Sequence, residues 1–533
     1  MYVRRSDFDE ERLEVCNVMA GCRDRSSPRQ WGKSSYRRNF IMKKNVSWMR
    51  DLAFHYGTMR KAFPEDRLLI VFDIDGTILD TRYMIISILH AYDREHGTRH
   101  FRYLGAEDIH IHENEIESLL KDLGIMEPEK TRIIEWYALN FWAPETILES
   151  HRPFDGVLDV IRWFQLQPHT FVGLNTGRSE SMRAETLHAL NTLGSEYRVE
   201  FSSHLVHMNQ KGDIVGSKVD GLKAFMNKGY RIVAMIDNEP ANLKSIAETE
   251  IARDVLLLHA DTIFESAPAY IPSRAVMGSR YDITELIPEK GLPKHIEFVW
   301  HGVDDESILR QFLVSNVHWA EMHVRRDPQD DSVIIRRKSF QDMPRSLDEI
   351  PLKLEYFLSL LKDTGRGVKL DIKEEDLLER VTRILRDAGF HDEQVWISKN
   401  VSGLNAGNLK TFMEAFPGAI KQCPVDPLAP LITSSPSEAR KYLGMYSRWG
   451  IDRFSVNWRT PGSRRLVIQL QNWGYDVNIY NVPDLESFLQ AALMIPRSIT
   501  SYFNFPKWFY SGTNDEERQP VFNETSGHYG ATY

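Results

Sequence analysis

An apolar run, Leu68-Leu69-Ile70-Val71-Phe72, ends in two carboxylates, Asp73 and Asp75, with Ile74 between them and Gly76-Thr77 behind. An unpaired buried carboxylate is costly or shifts its pKa, so two at one strand end require a reason. Similar apolar runs close on Thr176 (FVGLNT) and Asp237 (IVAMID), and Lys218 precedes the helix that leads into the latter. These groups fit one reaction. A carboxylate attacks phosphorus and becomes an acyl-phosphate. A second carboxyl protonates the leaving alcohol, then activates water. A lysine and a hydroxyl hold the phosphoryl oxygens, and acidic residues hold Mg²⁺.

A second set lies downstream. His301 ends a strand in EFVWHG, Glu321 and His323 stand at i and i+2 in WAEMHV, and Asp371 and Lys373 repeat that spacing in KLDIK. Residues two apart on a strand face the same way. Carboxylates with His and Lys can hold a divalent cation or do acid–base work on a phosphodiester.

Two alternating series of elements must position these groups. In the first, strands at 68–73, 170–175 and 231–236 alternate with helices, which predicts an α/β unit with a parallel sheet. Ligands then bind beyond the carboxyl ends of the strands. Residues 82–150 read as a helical insert, with helices at 83–95, 113–122 and 129–141. The second series starts at Ile296, with strands at 296–300, 318–324, 332–335, 367–371, 395–398, 418–422, 452–456, 475–480 and 498–503. Its rhythm is that of a (β/α)8 barrel, whose active sites form at the C-terminal strand ends. The proline-containing stretch 266–294 reads as a linker. Residues 1–64 read as a basic, partly disordered leader that ends in a helix at about 46–63, and 511–533 as a flexible tail.

Composition narrows the classes. The 533 residues carry a net charge of −9 and are 42% hydrophobic and 26% charged, as in soluble globular proteins. That charge exerts no general pull towards nucleic acid or anionic membrane. Three cysteines exclude a disulfide framework and a paired CxxC zinc pattern. No signal-like or membrane-spanning apolar run occurs, so a cytoplasmic protein without a membrane partner is expected. The basic leader keeps a nucleic-acid end phosphatase as an alternative. Oligomeric state is not fixed by the sequence.

Asp73-Ile74-Asp75-Gly76-Thr77, Thr176 in LNTGR, Lys218 and Asp237 in IDNEPANL, in that order, resemble the four motifs of the haloacid dehalogenase-like hydrolase superfamily over residues 65–265. The resemblance implies a Rossmann-like three-layer domain in which Asp73 is the nucleophile and Asp75 the general acid/base. It implies Mg²⁺ held by Asp73, Asp237 and the Asp75 carbonyl, with Glu239 and Asn238 as further candidates. An Asp at position 75 implies phosphomonoester hydrolysis. Lys223 is an alternative to Lys218. The second Asp that many relatives carry four or five residues after the fourth motif is replaced by Ala241 and Asn242. The insert resembles a helical cap, which implies a small phosphorylated substrate. Trp136, Tyr137 and Trp142 either line the site or pack the cap.

Residues 295–507 resemble the glycerophosphodiester phosphodiesterase-like barrels, and the menorin family most. The resemblance rests on His301-Gly302, Glu321 in AEMHV and GVKLDIK at 367–373. Competent relatives carry Asp two residues after the Glu, where this chain has His323, and a second His where it has Ile334-Ile335-Arg336-Arg337-Lys338. Two readings of the barrel stand: a second catalytic site, or a binding or oligomerisation module.

Overall fold

The computed structural model describes residues 47–503, apart from Lys211 and residues 265–268, 289–290, 347–348 and 400–405. The expected leader before residue 47 and the expected tail lie outside the described residues.

Six parallel strands form the first sheet: β1 (Arg67–Phe72), β2 (Thr170–Ser179), β3 (Val206–Asn209), β4 (Tyr230–Asp237), β5 (Leu256–Ala260) and β6 (Val276–Gly278). They run in the order β3-β2-β1-β4-β5-β6. Side chains alternate across a strand, and β1 shows both faces covered. Leu68, Ile70 and Phe72 pack with the helices Trp48–Ala62 and Val157–Gln165. Leu69 and Val71 pack with Leu222 and Phe225 of helix Ile214–Asn227 and with Leu243 and Ile246 of helix Pro240–Ala247. Burying each of these side chains is worth about 1.5–3 kcal/mol. The result is a three-layer α/β domain.

The expected linker is instead part of this domain. Its residues supply β6, paired on β5 with Leu258 opposite Val276. Gly278 lies so close to the Trp48 indole that a Cβ would fall 2.3 Å from its ring. Tyr281 is buried and donates to the Thr77 carbonyl at 2.8 Å. A three-residue strand between prolines gives no periodic signal, which is why the sequence reads as a connection.

The insert forms helices Arg82–His96, Ile116–Asp122, Glu129–Asn140 and Pro144–Glu149 around a core of its own. That core includes Ile85, Leu89, Tyr92, Leu120, Ile133 and Tyr137.

The second sheet closes into a barrel. Its staves are β7 (Glu297–Trp300), β8 (Trp319–Arg326), β11 (Gly367–Ile372), β12 (Val395–Ser398), β13 (Ile420–Pro424), β14 (Arg453–Asn457), β15 (Asp476–Val482) and β16 (Ser498–Ser501). All neighbours are parallel, and β7 pairs with both β16 and β8. The stretch expected as a third stave, 332–335, forms β9 (Val333–Ile335). It folds antiparallel onto β8 and carries β10 (Leu352–Lys353) outside the barrel. A short connection favours antiparallel return, whereas a parallel stave needs a crossover of a dozen residues or more.

Sheet domain and barrel share one apolar core, running through Ile283, Leu286 and Ile287 to Leu485 and Leu489. At its edge, Arg464 donates to both oxygens of buried Asp159, at 3.0 and 3.3 Å. Burial raises the Asp159 pKa and Arg464 opposes the rise. Removing one partner strands the other charge. Arg464→Met is expected to lower stability by about 2 kcal/mol, below the range for fully buried pairs because water reaches the guanidinium side. Urea unfolding followed by tryptophan fluorescence checks this.

Candidate active site

The carboxyl ends of β1, β2 and β4 bring together residues far apart in the chain. Lys218 is 1% exposed, and its ammonium donates to Asp73 Oδ1 at 2.5 Å, to the Asn175 carbonyl at 2.7 Å and to Asp237 Oδ2 at 2.9 Å. Lys223 is exposed and faces Asp220 at 3.9 Å, so Lys218 is the lysine of this site. Burial works against the Lys218 charge, but Asp237 and Asp73 override it and raise the pKa. Burial raises Asp73 in turn, Lys218 opposes this, and the charges of Asp237 and Asp75 add to the rise.

Asp237 is fully engaged. Its oxygens accept from Lys218, from the Glu239 N–H at 2.9 Å and from Asn242 Nδ2 at 3.1 and 3.2 Å. Asn242, in the place of the second Asp, thus acts as a donor to the first.

Magnesium is tested by Asn238. One end of its amide stands 3.0 Å from the Asp75 carbonyl oxygen and 3.3 Å from Asp73 Oδ2. With nitrogen there, the amide donates to both. With oxygen there, it stands from each of the other two oxygens at a spacing near the edge of a magnesium octahedron, about 2.9 Å for 2.0–2.1 Å bonds. Gly76 permits the approach: its φ is +73°, and a Cβ would fall 2.3 Å from the Asn238 amide. No cluster of three or more His, Cys, Asp or Glu side chains set to hold a metal occurs among the described residues. The oxygens here come from a carboxylate, a main-chain carbonyl and an amide, which suits an ion that keeps several waters.

Asp75 has a partner that the sequence reading does not name. Arg178 donates to its two oxygens at 2.7 and 2.6 Å, a bidentate pair. Burial would raise the Asp75 carboxyl, but the guanidinium overrides it and holds the pKa below the usual carboxylate range. Arg178 also donates to Thr186 Oγ1 at 3.1 Å and contacts His151 Nε2 at 3.0 Å. Burial, with Arg178 beside it, drives His151 down to about 3, so it stays neutral. Thr176, at 1% exposure, accepts from the Arg178 N–H at 3.2 Å and shapes this turn.

The cap closes on the site from two sides. Trp142 lies over Arg178, 5.3 Å from guanidinium carbon to ring centre. Trp136 and Tyr137 pack the cap instead, donating to the carbonyls of Ile88 and Glu113. His112 Nε2 stands 3.2 Å from Glu113 and 3.4 Å from Glu239, tying the cap to the loop after Asp237. Burial lifts Glu113 to about 6, and Asp75 adds to the rise.

At the barrel mouth, Glu321 Oε1 faces Lys369 Nζ at 2.9 Å, and Oε2 meets His301 Nδ1 in a short contact. His323 Nδ1 lies 2.7 Å from Asp304, and its Nε2 lies 3.9 Å from Asp371, which pairs with Lys373 at 2.6 Å. All five residues expected here gather at the mouth, and Lys369 and Asp304 join them.

No family model matches the chain, and no curated protein matches it. Among the solved structures similar to it are two kinds of hydrolase, beside an orotidine 5'-monophosphate decarboxylase from Methanocaldococcus jannaschii that is 10% identical over 39% of this chain and 89% of that one, TM-score 0.25. One kind includes a glycerophosphodiester phosphodiesterase from Agrobacterium tumefaciens, 14% identical over 38% of this chain and 96% of that one, TM-score 0.28. An Oleispira antarctica phosphodiesterase in complex with the product sn-glycerol-3-phosphate is 14% identical over 40% and 94%, TM-score 0.28. The other kind includes a haloacid dehalogenase-superfamily hydrolase from Geobacter sulfurreducens, 15% identical over 41% and 95%, TM-score 0.26. No helix among the described residues is long and apolar enough to cross a membrane.

Proposed function

We propose that the sheet domain is a magnesium-dependent phosphomonoesterase acting through a phosphorylated Asp73 on a small phosphorylated substrate. The observation that carries this is the buried Asp73–Lys218–Asp237 chain at adjacent strand ends, with Asp75 two residues from the nucleophile. Asp73 Oδ2, the Asp75 carbonyl and Asn238 would hold the ion, which neutralises phosphoryl charge. Asp73 attacks phosphorus, the P–O bond to the alcohol breaks, and protonated Asp75 gives its proton to the leaving oxygen. Water then attacks the acyl-phosphate, with Asp75 as base and Lys218 steadying the Asp73 carboxylate. Arg178 keeps Asp75 ionised, which suits the base role. In the acid role Asp75 must first leave the guanidinium, and an arriving phosphate is the anion able to draw Arg178 away. The insert covers the strand ends, with Trp142 over Arg178 and His112 beside Glu239, which favours a small metabolite over a polymer end.

The test is p-nitrophenyl phosphate and a panel of small phosphomonoesters with Mg²⁺, combined with acid quenching and mass spectrometry of the Asp73 peptide. Phosphate release with phosphate on Asp73 is expected; release without it excludes the covalent route. Because proton and cation compete for Asp73, Mg²⁺ is also expected to raise the melting temperature more at pH 8 than at pH 6. A ligand at 100 times its Kd stabilises by about 2.7 kcal/mol, and scanning calorimetry with and without Mg²⁺ reads the difference.

The barrel is proposed as a phosphodiester site whose monoester product the sheet domain dephosphorylates. His301 and Glu321 at adjacent stave ends support this. If it is a binding module instead, changing them alters affinity or oligomeric state and leaves turnover intact.

A further inference from the structure

The barrel mouth does not fit the divalent cation that its acidic residues first suggest. Both Glu321 oxygens are taken, one by the fully buried ammonium of Lys369 and the other by His301. Asp304 spends its two oxygens on the N–H and Nδ1 of His323, at 2.9 and 2.7 Å. Asp371 is paired with Lys373. A cation beside Glu321 would face the like charge of the buried Lys369 ammonium, a repulsion that water screens little there. The carboxyl needed two residues after Glu321 to offset this is His323.

What the carboxylates do instead is orient two imidazoles. Glu321 holds Nδ1 of His301 and Asp304 holds Nδ1 of His323, with ring centres 5.3 Å apart at nearly a right angle. A carboxylate on one ring nitrogen fixes which nitrogen is presented. His301 Nε2 is buried and has no hydrogen-bond partner, and Tyr502 packs edge-on against the ring. Arg337, 5.8 Å from the Tyr502 ring centre, supplies positive charge for an anionic ester.

We infer that the barrel cleaves phosphodiesters without a metal ion, with His301 and His323 as the acid–base pair. This rests on the diester reading above. Water attacks phosphorus as His301 Nε2 takes its proton; the P–O bond to the alcohol breaks as His323 Nε2 supplies the proton that the alkoxide carries away. Solvent then removes the proton from His301 and returns one to His323, so no oxidant, reductant or further co-reactant is needed.

The experiment uses the full chain with Asp73→Asn, so the sheet domain cannot consume the product, and bis(p-nitrophenyl) phosphate in excess EDTA. One p-nitrophenolate per diester is expected, with at least a 100-fold loss of kcat in His301→Gln and in His323→Gln. Melting curves establish that both variants are folded. His323→Asp, which restores a carboxyl beside Glu321, is expected to lose the EDTA-resistant rate and to bind Mn²⁺, read by electron paramagnetic resonance. Turnover only with added metal overturns the metal-free inference and leaves the diester reading standing. Absence of turnover under both conditions overturns both, and neither result bears on p-nitrophenyl phosphate hydrolysis by the unmodified sheet domain.

Discussion

Asp73→Asn is expected to abolish phosphate release, lowering kcat by 10³-fold or more while the protein stays folded. The size follows from the role. An amide cannot form the acyl-phosphate, so the variant keeps only the binding and charge effects of the site. Stability is expected to change in the opposite direction from activity. Burial and the neighbouring carboxylates make ionised Asp73 costly in the native state. Its pKa is raised on folding, so the native state binds a proton that the unfolded chain releases above about pH 4. Its contribution to stability therefore falls as pH rises from that value towards the folded pKa. The neutral amide escapes this loss. In the absence of Mg²⁺, the variant is expected to melt at or above the wild-type temperature at pH 8, with the gap closing at pH 5. Phosphate release and calorimetry at both pH values check the two halves. A variant with wild-type turnover would remove Asp73 from the chemistry, and one that melts far lower would make it a structural residue.

Much of this site is legible along the chain because its residues end apolar strands. Asp73 and Asp237 follow runs of five apolar residues, Thr176 stands two places beyond Phe171–Leu174, and the side-chain period of two fixes where each must point. The eight-stave barrel is legible from rhythm in the same way. Four features are not. Arg178 reads as one more charged residue after a strand, because its partner Asp75 lies 103 positions away. Only the β1–β2 pairing, with Phe72 opposite Leu174, brings them together. Lys369 sits inside an apolar stave and looks like an interruption, until the β8–β11 register places it opposite Glu321. Short strands β3 and β6 carry too few residues for a period, and the opposite sheet edges they occupy, on β2 and β5, are a tertiary fact. Trp142 differs from Trp136 only in where the cap meets the core, which helix periodicity does not encode. Local pattern thus locates the acids, while the cations that tune them come from long-range register.

Lys218→Met tests that last point most severely. Lys218 is the shared counter-ion of two buried carboxylates, and Asp73 and Asp237 are 5% and 0% exposed. Breaking a buried pair typically costs about 3–5 kcal/mol, because an uncompensated charge remains. Here two remain. The cheapest response is for one carboxyl to take a proton, so the cost depends on pH. Without the ammonium, which opposes the rise, the Asp73 carboxyl is raised further above its unfolded value. The destabilisation is then small near pH 5 and grows as pH rises towards 8. Adding Asp73→Asn to Lys218→Met removes one charge and is expected to recover part of the loss at pH 8 and little at pH 5. A lysine that served only to bind substrate would show no such coupling: the double variant would be the sum of the singles at every pH. Urea unfolding of the four proteins at both pH values separates the two cases. The same measurement bears on catalysis, because the native state tolerates Asp73 as an ionised nucleophile only while Lys218 shares its proton-free charge. Loss of activity in Lys218→Met is therefore expected even where the variant is folded, and raising the pH is expected to restore little of it, since unfolding overtakes the gain in ionised Asp73.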